Sequence, residues 1–413
     1  MPTYLTPGVY IEEIATGPRP IEAVGTSTAG FVGVAPNPDV HLHEALGINN
    51  WSQFVKEFAT EGAASTPLAQ AVFGFFQNGG GRCYVVNVGS SRELVGNGSQ
   101  RKGIETLEEV DEIAIVAAPG FADAASYDAL LSHCEKLQDR VAILDPPEDV
   151  PNIDLLKTVA TASAQPKAKK AAAGDAAGTG APPTPAPPGG LRPRTSDAGF
   201  GAFYFPWIMI RDPFSANVVA VPPCGHVAGV YARTDATRGV HKAPANETLR
   251  GALDLTYKVT REEQGELNRL GVNCIRLFPT QGIRIWGART VADSASEWRY
   301  LNVRRLFNMI EESIANGTRW VVFEPNDMSL WKSIRRDVSA FLRLQWRQGA
   351  LMGASPEEAF FVQCDQETNP TEVIDAGMVV TVIGIAPVKP AEFVIFRIGQ
   401  GAGGAQIETQ GGV

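Results

Sequence analysis

Residues 372–399 read EVIDAGMVVTVIGIAPVKPAEFVIFRIG, two β-rich segments separated by Pro387 and Pro390. In the second, Ala391–Ile398, side-chain alternation sends Phe393 and Ile395 to one face and Val394, Phe396 and Ile398 to the other. A strand apolar on both faces belongs inside a sheet, flanked and covered. Here it is followed only by the Gly-rich stretch GQGAGGAQIETQGGV, and an unpaired strand of this kind is an aggregation hazard unless a partner receives it. The N-terminus carries a second such piece, where Pro7-Gly8 introduces Val9-Tyr10-Ile11, closed off by Gly17, Pro18 and Pro20. A terminal strand either pairs within its own chain, the common case, or is lent to a neighbour. The residues alone leave both readings open. Two detachable strands at opposite ends suggest assembly by strand lending.

With 413 residues, 44% of them hydrophobic and 20% charged, the chain is long enough for two or three domains with real cores. Its net charge of −9 argues against a general binder of nucleic acid or acidic membranes. No run of eighteen apolar residues predicts a membrane-spanning helix. The opening MPTYLTPGVYIEE has neither a basic n-region nor an apolar core, so no secretory signal is expected. The cysteines, Cys83, Cys134, Cys224, Cys274 and Cys364, are dispersed and odd in number, which predicts reduced thiols in core positions.

From Gly30 to about Asp212, strand and helix patterns alternate. Strands are expected at Gly30–Ala35, Cys83–Val88, Glu112–Pro119, Val141–Pro147 and Phe203–Ile210. Helices are expected at Pro67–Phe76 and 124–137. This rhythm implies an α/β layered fold with a largely parallel sheet. It is broken at 163–197 by an Ala/Pro/Gly-rich stretch, which reads as a mobile surface insertion. Its Lys167, Lys169 and Lys170 read as solvated. Beyond Val218, PPCGHVAGVYARTDATRGVHKAPAN shows little period, and GVNCIRLFPTQGIRIWGART reads as two strands. Tyr300–Asn316 is amphipathic, with Val303, Leu306, Phe307, Ile310 and Ile314 on one side. Trp320–Phe323 reads as a short strand, Ser329–Leu351 as a second long helix and Ala359–Cys364 as another strand.

PPCGHVAGVYARTDATRGVHKAPAN, IRIWGART, LNVRRLFNMIEESI and GMVVTVIGIAPVKPAEFVIFRIG together resemble the contractile tail sheath proteins of phage tails, R-type bacteriocins and extracellular contractile injection systems. TPGVYIEE and TSTAGFVGVA also fit, so the resemblance covers both ends and the second half; the 163–197 stretch departs from it. It implies an outer α/β domain over 23–250, an inner α+β sheath domain over 251–386, and β-arms at 1–22 and 387–413 exchanged between subunits. Val9, Tyr10, Ile11, Phe393, Val394, Ile395, Phe396 and Ile398 would be the arm residues. The implied partners are copies of the same chain in a helical sheath, an inner tube protein, and baseplate and terminal cap proteins, with no nucleic acid and no direct membrane insertion. Assembly in a bacterial cytoplasm and release by lysis follow as expectations. The helix after Ser329 adds a further feature. Lys332, Arg336, Arg343 and Arg347 fall within a band of roughly 60° and Arg335 flanks it, either as a solvated face or as a ridge against an acidic inner tube.

An enzyme is the alternative from another class. Gly79-Gly80-Gly81 precedes a strand, whereas a phosphate loop follows one. His41 and His43 lack a third metal ligand placed by sequence, and Cys224 with His226 is one pair where tetrahedral zinc needs two. Glu12-Glu13, Glu262-Glu263 and Glu311-Glu312 are adjacent and do not share a helix face. No catalysis and no cofactor are therefore expected. A passive shell or fibre subunit using the same strand exchange stays open.

Overall fold

The computed structural model describes residues 20–96, 100–161 and 189–395. Val9, Tyr10, Ile11, Phe396 and Ile398 lie outside these residues, as does most of the Ala/Pro/Gly stretch. Short runs of β-branched and aromatic residues supply the first strands: β1 (Ala29–Gly33), β2 (Ala45–Ile48), β3 (Cys83–Asn87), β4 (Ile115–Ala117), β5 (Val141–Leu144) and β6 (Gly201–Phe205). Next come β7 (Ile208–Arg211), β8 (Val218–Val221), β9 (Glu247–Thr248), β10 (Ala252–Leu255), β11 (Val272–Phe278) and β12 (Gly282–Ile285). Nine of them form one sheet in the order β2-β3-β1-β4-β5-β6-β11-β12-β9. From β3 to β11 every pairing is parallel, and antiparallel strands close both edges. β1, β4, β5 and β6 are buried throughout, as a sheet covered on both faces requires. The α/β reading therefore holds. Strands on both sides of residue 250 complete this sheet, so no hydrophobic core ends there.

The expected strand Phe203–Ile210 is instead two. Pro206 cannot donate to a ladder and ends β6; the chain then enters a three-stranded sheet, β10-β7-β8. On one face of the large sheet pack α1 (Trp51–Phe58) and α2 (Pro67–Asn78), through Phe54, Phe58, Leu68, Val72 and Phe75. α2 opens on Thr66, whose side chain accepts from Ala69 N–H, and Gly79 closes it at φ 111°. The glycine run is thus a helix stop. The opposite face carries α3 (Ala124–Leu137), through Tyr127, Leu130 and Leu131, and α5 (Arg261–Arg269), through Leu267.

A further helix, α4 (Cys224–Arg238), occupies the stretch whose sequence shows little period. Its residues from Cys224 to Ala232 are all buried, so it has no solvent stripe to generate a helical pattern. It packs on α2 at close range. A methyl group on Gly225 would lie 2.1 Å from the Ala71 carbonyl oxygen, and one on Gly229 2.5 Å from that of Phe75. His226 and Gly74 meet in the same contact. Cys224 and His226 are therefore packing residues here. All five cysteines are buried and free.

The remaining elements build a third core. α6 (Leu301–Gly317) and α7 (Met328–Arg347) pack Leu306, Met309 and Ile310 against Trp331, Ile334, Val338, Phe341 and Leu342. α8 (Pro356–Ala359) leads into β13 (Phe360–Gln363), α9 (Thr371–Asp375) follows, and β14 (Val382–Ile385) pairs antiparallel with β13. Phe360, Val362, Ile383 and Ile385 turn toward this core. The expected strand Trp320–Phe323 is instead a 3-10 turn over Arg319–Val321. Thr318, Val321 and Val322 bond back to Ile314, Thr318 and Arg319, which curls the backbone locally and takes these N–H groups away from a ladder.

Replacing Gly225 with Ala should cost about 3 kcal/mol, the upper end for overpacking, because the obstacle is backbone that cannot step aside. Urea denaturation measures it, and an unchanged midpoint contradicts the close α2–α4 contact. Asp145 accepts the Cys224 N–H at 2.9 Å from a fully buried position, and burial pushes its pKa up to about 7, against the lowering effect of that bond. A raised carboxyl pKa means stability present below about pH 4 and lost as pH rises toward 7. Asp145→Asn should remove that loss, raising the urea midpoint at pH 8 relative to wild type.

Candidate functional site: the roots of the terminal segments

Both terminal segments leave the body along one helix. α6 is buried for its first ten residues except Phe307, and Leu301 belongs to the first core while Leu306 belongs to the third. The N-terminal segment is held along α6 from Arg305 to Gly317. Ile21 is 7% exposed in the third core and crosses α6 at Gly317, where a methyl group would stand 2.7 Å from it. Val24 N–H donates to Ser313 Oγ at 3.0 Å. Arg305 Nη2 donates to the Thr26 carbonyl at 2.9 Å and to Asp235 Oδ2 at 2.6 Å, while Thr26 Oγ1 donates to the same carboxylate at 2.6 Å. The Arg305 guanidinium also lies 4.7 Å from the Tyr231 ring centroid, and Tyr231 shares a 2.6 Å hydrogen bond with Tyr204 on β6. Arg305 and Asp235 side chains are only 3% and 6% exposed. This pair ties segment, α4 and α6 together.

The C-terminal segment is held at the other end of α6. After β14, Ala386–Val388 runs beside 350–352: Met352 N–H donates to Ala386 at 2.8 Å, and Val388 N–H to Ala350 at 3.2 Å. Asn302 Nδ2 then donates to the Val388 carbonyl at 3.0 Å and to that of His241 at 2.8 Å. The last hold is Glu392. Its carboxylate receives Arg289 Nε at 2.9 Å, Arg289 Nη2 at 2.7 Å, Asn268 Nδ2 at 2.6 Å and Tyr300 OH at 3.3 Å. Burial pushes its pKa up, but the bonds from Arg289 and Asn268 outweigh this and hold it below the ordinary carboxylate value. The stabilisation is thus present above about pH 4 and lost as pH falls through the lowered pKa. A cleft of about 670 Å³ opens beside this root, between Arg238, His241, Lys242 and Trp286 on the body and Phe393 and Val394 on the segment.

Phe393, Val394 and Ile395 are 72%, 68% and 80% exposed and belong to no strand. The structure offers matching edges elsewhere: among the described residues β13–β14 is a sheet of two strands, so both its outer edges lack a partner strand. Phe361 and Val382 stand exposed on it. The cationic residues of α7, Lys332, Arg335, Arg336, Arg343 and Arg347, are all exposed. Arg336 is engaged by the buried Asp337 at 2.9 Å, whereas among the described residues the other four make no ion pair within 4 Å. His41 lies between Glu44 and Glu57 at 3.3 and 3.5 Å, and His43 Nδ1 accepts the Gly103 N–H. Among the described residues no group of three or more His, Cys, Asp and Glu side chains is placed to hold a metal ion.

Sequence reasoning missed Glu392, Arg289, Asn268, Tyr300 and the Arg305–Asp235 pair. One signal was available for the first: a lone acid inside AEFVIF interrupts an otherwise apolar run.

Removing one member of a buried ion pair strands the other. Arg305→Ala should cost about 3–5 kcal/mol, whereas Arg305→Met together with Asp235→Leu should cost much less. Denaturant titration of both variants decides it, and equal losses contradict the stranded-charge account.

The sequence profile of the phage tail sheath protein central domain matches residues 95–291, and that of the phage tail sheath C-terminal domain matches 293–400. Among solved structures, the chain is similar to the PVC sheath complex of an extracellular contractile injection system in its contracted state. The two are 30% identical at a TM-score of 0.74, over 97% of this chain and 99% of that one. It is also similar to the helical sheath of the anti-feeding prophage in its contracted state, 30% identical at 0.73, over 96% and 100%. The tail sheath protein of Vibrio phage KVP40 is 30% identical over 42% of this chain and 26% of its own length. The putative prophage major tail sheath protein of Pseudomonas aeruginosa (strain UCBPP-PA14) is 26% identical over 47% and 49%. The chain spans a quarter to a half of the length of these curated relatives.

Proposed function

The chain belongs to the phage tail sheath family, and from that premise we propose that it polymerises helically around an inner tube and contracts to drive the tube through a target envelope. What carries the reading is the pairing of two features: an apolar segment that leaves its own body exposed, and a sheet of two strands whose outer edges have no partner strand among the described residues. Two edges per subunit match two arms per subunit. In this reading 1–22 and 387–413 are the arms, and each sheet accepts arms from neighbouring copies.

Magnitudes give the two interfaces different jobs. Each backbone hydrogen bond of an added strand contributes about 1 kcal/mol net, and burying a Phe or Ile adds about 1.5–3 kcal/mol. An exposed ion pair contributes about 0.2–1 kcal/mol and weakens with salt. The α7 ridge therefore seats the subunit on an acidic tube surface without fixing it there, while the arms outlast that contact. On contraction the subunit leaves the tube and stays linked to its neighbours, the released energy lying in closer packing between subunits.

Baseplate and terminal cap proteins complete the set of partners, assembly takes place in the producing cell's cytoplasm, and lysis releases the particle. The subunit's role is structural, with no catalysis assigned. A passive shell with the same strand exchange would form tubes of one length, whereas a contractile sheath forms striated tubes of two lengths by electron microscopy.

Truncation after Glu392 should leave a folded monomer that does not polymerise. Normal sheaths from that chain would remove the arm assignment. The triple change Lys332→Glu, Arg343→Glu and Arg347→Glu, which leaves Arg336 on Asp337, should abolish extended assembly on the tube and spare folding. Wild-type assembly in that variant would make the ridge a solvated face.

A further inference from the structure

Resting on the reading of 387–413 as an arm, we infer that Glu392 is its positioning residue: held by Arg289, Asn268 and Tyr300, its carboxylate sets the point and direction from which the arm leaves, and ordered polymerisation requires it.

The geometry is that of a plug in a socket. Two carboxylate oxygens meet four donors from three places: the end of α5, the segment after β12 and the residue that opens α6. Arg289 binds through two nitrogens, and this fork fixes the orientation of the carboxylate as well as its position. Part of the hold on Arg289 is independent of the plug. Arg289 N–H donates to Asn273 Oδ1 at 2.7 Å, and its Nη1 to the Asn268 carbonyl at 3.2 Å. Loss of Glu392 therefore frees the segment and leaves the body standing.

The chain on either side explains why so much hold is spent on one side chain. Upstream, the last tie to the body is the Asn302 bond to Val388. Downstream, Phe393, Val394 and Ile395 touch little of it. Six residues in an added strand would span about 20 Å at roughly 3.3 Å per residue. A tilt of about 15° at the root moves the tip of such an arm by about 5 Å, the spacing of neighbouring strands. A loose root thus delivers the arm one strand-width off its acceptor edge, and the four-donor hold suits that tolerance.

The test uses the full chain, produced with its inner tube partner, as Glu392→Ala, Glu392→Gln and the exchanged pair Arg289→Glu with Glu392→Arg. Readouts are the urea midpoint of the monomer and the yield of ordered sheath by sedimentation and electron microscopy. Glu392→Ala should keep a near-wild-type midpoint and lose ordered sheath on the order of tenfold. The exchanged pair should recover much of that yield. Should Glu392→Ala not fold, the near-isosteric Glu392→Gln decides by the same comparison. Wild-type yield and straightness in the single variants, or a defect that the exchange does not relieve, overturns the proposal. A separate wild-type background carrying Phe361→Cys and Ile395→Cys tests the underlying reading. Sheath without interchain disulfides there removes the arm exchange and this proposal together; disulfides there with normal Glu392 variants remove this proposal alone.

Discussion

The burial of α6 is the constraint on which the other features depend. One rod of seventeen residues, ~25 Å long at 1.5 Å per residue, enters from the core of the large sheet and ends in the helical core. Its first turn holds the C-terminal segment through Asn302, next to Tyr300, and the N-terminal segment is held along the rest of it, through Arg305, Ser313 and Gly317. The two roots are thus fixed by one element that cannot bend without opening two cores. Rotation of the body carries both roots by the same amount, as the proposed lattice linked through these segments would need to change shape in step.

Holds of unequal kind sit at the two roots. The N-terminal root is a buried ion pair inside a packed core, Arg305 with Asp235, and it belongs to the fold. At the C-terminal root a partly exposed carboxylate sits among Arg289, Asn268 and Tyr300, and Phe393–Ile395 beyond it are largely exposed. Desolvating charges is costly, so an ion pair kept in either place calls for a reason beyond stability. Direction is a reason that suits both, because a bidentate guanidinium fixes orientation in a way that apolar contact does not.

The central strands were legible in the sequence because burial on both faces leaves short apolar runs between Gly and Pro, as at Cys83–Asn87 and Val141–Leu144. α7 was legible because one side faces solvent and the sequence records the contrast. α4 was not, and for the same reason inverted: a helix surrounded by protein has no contrast to record. In α6 the apolar stripe was visible, yet burial extends past it to Arg304, Arg305 and Asn308, which no apolar pattern marks. The sites at the roots were the least legible. Glu392 and Arg289 are 103 residues apart, Arg305 and Asp235 70 apart, and nothing in local spacing marks a pair that only the fold brings together. The apolar run at 393–398 was visible from alternation, but its partner was not: the same pattern suits a strand paired within its own chain, and Phe393–Ile395 are exposed here.

The account stands or falls on where residues 393–398 go when copies assemble. Cryo-electron microscopy of the native sheath, at a resolution that traces the backbone, measures this directly. The account predicts that each such segment departs from its own body at Glu392 and hydrogen-bonds along an open edge of β13 or β14 in another copy. A segment folded back onto the body that carries it, in a filament otherwise intact, would contradict it.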